Sequence, residues 1–133
     1  MDATFLAKIK SDFSSLRFVT GRKFAFRPPR TVVAPSDFEN SSPLLLLHEV
    51  GHALSGCYDF RTEIGRLKIE VIAWEKAKEL CETYKIAIDD ELIESELDTY
   101  RDWLHQKSRC PDCGLTRFQT PDGAFHCPKC EFF

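Results

Sequence analysis

The stretch SPLLLLHEVGHALSG, residues 42–56, decides the fold of this chain. Ser42 is a predicted helix N-cap, because its hydroxyl can accept a hydrogen bond from the first turn. Pro43 suits the first helical position, where its missing N–H is not needed, and Gly56 is placed to end the helix. We therefore predict one helix with defined ends across this stretch.

This helix contains an H-E-x-x-H motif at His48, Glu49 and His52. Histidines four residues apart lie on one helical face, so both imidazoles can reach one zinc ion. The glutamate between them is placed to take a proton from a zinc-bound water. The opposite face is apolar and is predicted to anchor the helix in a core through Leu46, Val50, Ala53 and Leu54. The alternative is two incidental histidines on a buried helix.

A catalytic zinc site needs a third protein ligand, and the next predicted helix, residues 60–84, offers acidic candidates. On a helical wheel Glu70 falls in the middle of an apolar stripe, whereas Glu75 and Glu79 face solvent. A carboxylate in a buried stripe needs a partner, and a zinc ion is a sufficient one. The alternative partner is a neighbouring arginine.

The H-E-x-x-H motif and the later sequence Glu70-Val71-Ile72-Ala73-Trp74 together resemble the paired motifs of small gluzincin metallopeptidases, which include minigluzincins and ImmA/IrrE-like proteins. The resemblance covers roughly residues 30–84. It implies that His48, His52 and Glu70 bind a catalytic zinc ion and that Glu49 is the general base.

The same resemblance implies that residues 31–34 form the edge strand on which an extended peptide lies. One residue departs from the pattern, because many relatives hold a ligand histidine with an Asp or Asn where this chain has Trp74. The orienting partner of that histidine is therefore not given by the sequence.

The expected reaction is hydrolysis of a peptide bond in a peptide or protein substrate by a zinc-activated water. Glu49 would accept the proton of that water and pass it to the leaving amine. Four residues are candidates for stabilising the tetrahedral oxyanion: Tyr58, Tyr100, Arg101 and His105.

Four of the six cysteines form two C-x-x-C pairs, at Cys110, Cys113, Cys127 and Cys130. In a chain expected to be cytoplasmic, where disulfides are rare, this spacing predicts a structural zinc site. The segment resembles a zinc ribbon, and SprT-like proteases join an H-E-x-x-H domain to a ribbon in the same order. A redox dithiol is the competing interpretation. Cys57 and Cys81 are predicted to be small buried residues.

We therefore expect two zinc ions, one catalytic and one structural, in two domains. Residues 1–106 form a minimal zincin-like metallopeptidase domain, and residues 107–133 form the four-cysteine ribbon. The turn between the ribbon strands is predicted at residues 120–123, Thr-Pro-Asp-Gly.

The composition of the 133 residues is 43% hydrophobic and 29% charged with a net charge of −3, as in an ordinary globular protein. The longest aliphatic run is four leucines, so no membrane partner is expected, and the N-terminus lacks a secretory signal pattern. Residues 1–36 are net basic and residues 37–105 net acidic. Arginines and lysine interleaved with phenylalanines near the N-terminus are compatible with nucleic-acid binding, but inward phenylalanines and solvated cations are favoured.

The predicted fold class is α+β. Short antiparallel strands pack on the H-E-x-x-H helix and two further helices, and the ribbon follows. A hairpin is predicted for residues 17–20 and 23–26 around Gly21-Arg22, with a third strand at 31–34. Further helices are predicted for residues 2–15 and from 89 to about 105.

Two alternative functions remain at this point. One is a nucleic-acid or protein-binding zinc module without catalysis. The other is an ImmA-like regulatory protease that acts on one partner protein.

Overall fold

The computed structural model describes residues 3–37, 42–56 and 58–131. In these ranges the helices are α1 (Ala3–Asp12), α2 (Pro43–Ser55), α3 (Glu63–Tyr84) and α4 (Asp90–Ser108). The strands are β1 (Arg17–Gly21), β2 (Ala25–Arg27), β3 (Thr31–Pro35), β4 (Phe118–Gln119) and β5 (Phe125–His126). The α+β class is confirmed. Among the described residues, each helix is either too short or too polar to serve as a membrane span.

The N-terminal sheet has the strand order β1-β3-β2, so the predicted hairpin between the first two strands is wrong. β1 runs parallel to β3, and β2 runs antiparallel to β3. Gly21 explains the difference. It lacks the positive φ that the predicted turn requires, and it pairs with Pro35 at the end of β1. A Cβ at Gly21 would lie 2.5 Å from Cγ1 of Val33, so this glycine permits close packing rather than a turn.

The prediction that residues 31–34 form an edge strand is also wrong. β3 lies in the centre of the sheet and pairs on both sides, with Phe18 of β1 and Phe26 of β2 both opposite Val32. Its backbone groups are occupied by these neighbours, so β3 offers no free edge for an extended peptide. The edges of this sheet are β1 and β2.

The ends of α2 are those that its sequence predicts. The Leu44 N–H donates to Oγ of Ser42 at 3.2 Å, and Gly56 ends the helix in the left-handed conformation at φ 68°. The helix is buried on most of its surface, with seven buried residues: Leu44, Leu46, Leu47, His48, Val50, Gly51 and His52. Leu54 was predicted to be in the core but is 44% exposed, because it lies in the last turn where the helix leaves the core.

Between residues 13 and 30, apolar side chains are more buried than charged ones. This agrees with the interpretation in which phenylalanines face inward and cations face water. The phenylalanines are half-buried at positions 13, 18, 24 and 26, and the cations are exposed at Arg17, Arg22, Lys23, Arg27 and Arg30. The aromatic rings therefore contribute to packing of the sheet and α1, and the charges lie in water.

The chain divides into two compact units. The first unit contains Met1–Tyr58 and Val71–Asp89, and the second contains Asp59–Glu70 and Asp90–Phe133. In the second unit β4 and β5 form the antiparallel ribbon hairpin, with Phe118 opposite His126. The predicted turn is confirmed, because the Gly123 N–H donates to the Thr120 carbonyl at 2.9 Å and Gly123 has φ 93°. The division into residues 1–106 and 107–133 stays a prediction.

Candidate metal centres

The two histidines of α2 point at the same place. Nε2 of His48 lies 3.2 Å from Nε2 of His52, and the two rings are nearly perpendicular at 72°. Tetrahedral zinc with bonds of ~2.0–2.1 Å needs its nitrogen ligands about 3.3–3.4 Å apart, so this pair fits one zinc ion. Both histidines are buried, at 7% and 8% exposure.

Glu49 lies close to both histidines, in a group of three side chains that could hold a metal ion or a water beside it. One ligand atom each from His48, Glu49 and His52 lie within 4.8 Å of one another. Glu49 is half-buried, in contrast to the two buried histidines. The carboxylate can therefore reach a water at the metal while the imidazoles face the protein interior.

Aromatic rings support both imidazoles. The Trp74 ring stacks on His48 with centroids 4.0 Å apart and an angle of 23° between the planes. The Phe26 ring is parallel to His52, at 5.8 Å and 8°. The sequence pointed to Trp74 only as a departure from a motif, and Phe26 only as a sheet residue. The unusual aromatic at the motif position of Trp74 was the one available signal for this role.

Gly51 lets α2 and α3 approach closely enough for this stacking. A Cβ at Gly51 would collide with the carbonyl oxygen of Ala73, the residue before Trp74. Ala73 and Ala77 are fully buried on the facing side of α3. Small residues on both helices thus set the short distance at which an indole can cover an imidazole.

Glu70 occupies the position on α3 that the helical wheel predicted. It is 9% exposed and belongs to the buried stripe that continues with Trp74 and Cys81, whereas Glu75 and Glu79 are exposed. Glu70 precedes Trp74 by four residues and so lies one helical turn before it on the same face. Its role as third zinc ligand stays a prediction.

Tyr58 was predicted as an oxyanion stabiliser, and its hydroxyl is engaged with the backbone. It lies 3.0 Å from the Pro29 carbonyl oxygen and 3.2 Å from that of Ala53. The Tyr58 ring packs on Phe26 at 5.4 Å, so Phe26 contacts both His52 and Tyr58. In this arrangement Tyr58 braces Phe26.

The other three oxyanion candidates are on α4. Arg101 donates to Glu94 at 2.7 Å and to Asp98 at 3.0 Å, and these hydrogen bonds raise the pKa of its guanidinium. Tyr100 packs against the Arg66 guanidinium at 5.6 Å, and His105 is exposed. The assignment of an oxyanion stabiliser stays a prediction for all four residues.

The four ribbon cysteines form the second metal group. Sγ of Cys110 lies 3.8 Å from Sγ of Cys130, and Sγ of Cys113 lies 3.5 Å from Sγ of Cys127. Four sulfurs around zinc at ~2.3 Å are about 3.8 Å apart, so these pairs fit a tetrahedral site. All four thiols are free, and their sulfurs lie within 4.8 Å of one another, as the zinc interpretation of the two C-x-x-C pairs requires.

Hydrogen bonds shift the pKa values of two of these thiols in opposite directions. The Cys130 N–H donates to Sγ of Cys127 at 3.3 Å and lowers the pKa of Cys127 to about 7. Hydrogen bonding to Cys113 raises the pKa of Cys130 to about 12. Four adjacent thiolates require a cation between them, because like charges this close disfavour further ionisation. The donor set is consistent with zinc.

The remaining two cysteines were predicted to be small buried residues. Cys81 is 1% exposed on α3, and burial raises the pKa of its thiol. This confirms the prediction for Cys81. Cys57 lies outside the described residues.

Comparison of the chain with protein-family models, with curated proteins and with solved structures finds no significant match. The assignment of function therefore depends on the two metal groups themselves. An H-E-x-x-H group that can bind zinc lies in the first unit, and a four-cysteine cluster that can bind zinc lies in the second.

Proposed function

We propose that this protein is a zinc-dependent metallopeptidase of the gluzincin type that hydrolyses a peptide bond in a peptide or protein substrate. The observation that supports it most is the convergence of Nε2 of His48 and Nε2 of His52 at 3.2 Å, with the Glu49 carboxylate in the same group. A structural zinc site has four protein ligands and no open coordination position. This group instead places a half-buried carboxylate beside two histidines.

His48, His52 and Glu70 would hold the catalytic zinc ion. Zinc bound by such ligands lowers the pKa of a water toward ~7 and polarises the substrate carbonyl. The stacked rings of Trp74 and Phe26 keep the imidazoles in their binding orientation and exclude water from their flanks.

Glu49 acts as general base. Its carboxylate accepts the proton of the attacking water and then donates that proton to the leaving amine. The rigid α2 helix fixes the carboxylate one residue from His48, so the base and the metal ligand move together.

The peptide substrate is proposed to bind along β2. Phe26 of β2 contacts His52, and β2 is an edge of the sheet because only its β3 side is paired in the described structure. An extended peptide can add to such an edge by main-chain hydrogen bonds. In this proposal β2 takes the role that the family resemblance implied for residues 31–34.

Metal analysis tests the proposal first. The wild-type chain should bind two zinc ions, His48→Ala and Glu70→Ala should each bind one, and Cys113→Ser should lose only the ribbon ion at saturating zinc. Glu75→Gln, which replaces an exposed acid on the same helix as Glu70, is the matched control and should bind two. One ion in the wild type, unchanged by Glu70→Ala, would contradict the catalytic site.

The exposed cations of the N-terminal segment are the one observation that favours a nucleic-acid-binding module instead. Five of them lie in water at Arg17, Arg22, Lys23, Arg27 and Arg30. The phenylalanines between them are half-buried in packing and offer few stacking faces. Binding to single-stranded DNA that falls steeply with salt, in a chain without peptidase activity, would favour that module.

A further inference from the structure

A ribbon side chain caps the N-terminus of α3. Oε1 of Gln119 in β4 accepts a hydrogen bond from the Glu63 N–H, the first amide of the helix, at 2.8 Å. Thr62 supplies the local cap, because its Oγ1 accepts from the Gly65 N–H at 3.0 Å. The first turn of α3 therefore has two caps, one from its own chain and one from a segment 56 residues later.

The amide of Gln119 is held in the orientation that capping requires. Its Nε2 donates to the Gly123 carbonyl at 2.8 Å, which leaves Oε1 directed at Glu63. The ribbon turn approaches the chain just before α3, since a Cβ at Gly123 would lie 2.8 Å from the Arg61 carbonyl oxygen. Gly123 at φ 93° is thus required both by the turn and by this close approach.

α4 holds the same turn of α3 from another side. Nζ of Lys107 lies 3.3 Å from Oε1 of Glu63, whose side chain is only 16% exposed. The Arg66 guanidinium lies 4.8 Å from the Trp103 ring centroid and 5.6 Å from that of Tyr100. The beginning of α3, α4 and the ribbon thus form the second unit together.

The hairpin that presents Gln119 depends on the cysteine cluster. β4 and β5 contain two residues each, too few for a hairpin that is stable without support. Cys113 precedes the hairpin and Cys127 follows it directly, so a zinc ion bound by both would close its base. Loss of such an ion would unfold the segment that holds Gln119 in place.

We propose that Gln119 is a positioning residue through which zinc in the ribbon stabilises the first turns of α3. These turns lead to Glu70 within the same unit. Ribbon zinc therefore supports the catalytic site, a last step that rests on the proposed role of Glu70 as zinc ligand.

Hydrogen exchange of the Glu63 amide tests this link in the zinc-loaded chain of 133 residues. Gln119→Ala, with ribbon zinc in place, should raise exchange at Glu63 about fivefold, as expected for loss of a helix cap. The amides of Ile93 and Leu97 in α4 should keep their protection. Gln119→Glu keeps an acceptor at the helix N-terminus but loses the hydrogen bond to the Gly123 carbonyl that orients it, so it should restore part of the protection at Glu63.

A double-mutant cycle separates coupling from general destabilisation. Cys113→Ser should raise Glu63 exchange about fivefold or more in the wild type, but less than about twofold further in Gln119→Ala. Thr62→Ala removes the local cap and leaves the ribbon intact, so Cys113→Ser should keep its full effect in that control. An equal effect of Cys113→Ser in the wild type and in Gln119→Ala would overturn the proposal.

If Cys113→Ser also raises hydrogen exchange at the Ile93 and Leu97 amides, the second unit has unfolded in that variant. The single variant Gln119→Ala then tests the proposal. Unchanged exchange at Glu63 in that variant would overturn the proposal. The readout needs no substrate and should be the same in Glu49→Gln. A chain that passes this test but cleaves nothing contradicts the peptidase function and leaves the coupling intact.

Discussion

The Trp74 ring lies face to face with the His48 imidazole, with centroids 4.0 Å apart and planes at 23°. Many zinc-binding histidines are oriented by a hydrogen bond to a carboxylate or carbonyl. Here a buried indole covers one face of the His48 ring, and the Phe26 ring lies parallel to His52 at the longer centroid distance of 5.8 Å. Stacking restricts rotation of the imidazole and keeps its flank dry, so packing contributes to the orientation of the site.

Loss of this stacking should weaken zinc binding at the H-E-x-x-H site. Trp74→Ala should lower zinc affinity there about tenfold, since aromatic pairs contribute up to ~1.5 kcal/mol beyond area burial. Trp74→Phe keeps a ring and should retain most of the affinity. Chelator competition with both chains in the same Cys113→Ser background measures the change in affinity at this site, and equal affinity of Trp74→Ala and its Cys113→Ser parent would contradict the orienting role.

The contact between α2 and α3 should tolerate no added methyl group at Gly51. Gly51→Ala should destabilise the fold by about 1–3 kcal/mol, the usual cost of overpacking, because its Cβ collides with the Ala73 carbonyl. Urea unfolding measures the free-energy change. Leu54→Ala on the exposed end of the same helix is the control and should change it by about 0.5 kcal/mol at most. A Gly51→Ala chain as stable as Leu54→Ala would contradict the close approach.

Because of Cys81, the free energy of unfolding should change with pH in the alkaline range. Burial raises the pKa of its thiol above the unfolded value of ~8.5, so the folded state binds this proton more tightly. The stabilisation is complete below pH ~8.5 and is lost as pH rises above it. The free energy of unfolding should fall as the pH rises above ~8.5, and should fall less in Cys81→Ala. Identical pH dependence in the two chains would contradict a buried thiol.

Local signals explain why α2 was predicted well. Ser42, Pro43 and Gly56 act on the backbone of their own helix, and the histidine spacing is a property of one helix. The position of Glu70 in the buried stripe of α3 follows from helical periodicity in the same way. The ribbon turn and cysteine spacing are likewise local.

Tertiary contacts explain what was missed. The role of Gly21 depends on Val33, which approaches from a strand that comes later in the chain, so a packing glycine resembled a turn glycine. Because β3 lies between β1 and β2, the free edges belong to those two strands and not to residues 31–34 as predicted. The stacking of Trp74 on His48 and the capping of Glu63 by Gln119 join distant segments, and no spacing rule predicts such pairs.

The most direct test of the peptidase function compares zinc-loaded wild type with Glu49→Gln on a whole-cell protein extract, with mass spectrometry of newly formed N-termini. Both chains should bind two zinc ions, because Glu49 is the base and binds no zinc. The wild type should generate a defined set of new termini, and Glu49→Gln should generate none of them. The same termini from both chains, or no new termini from a wild type that holds both ions, would contradict the proposal.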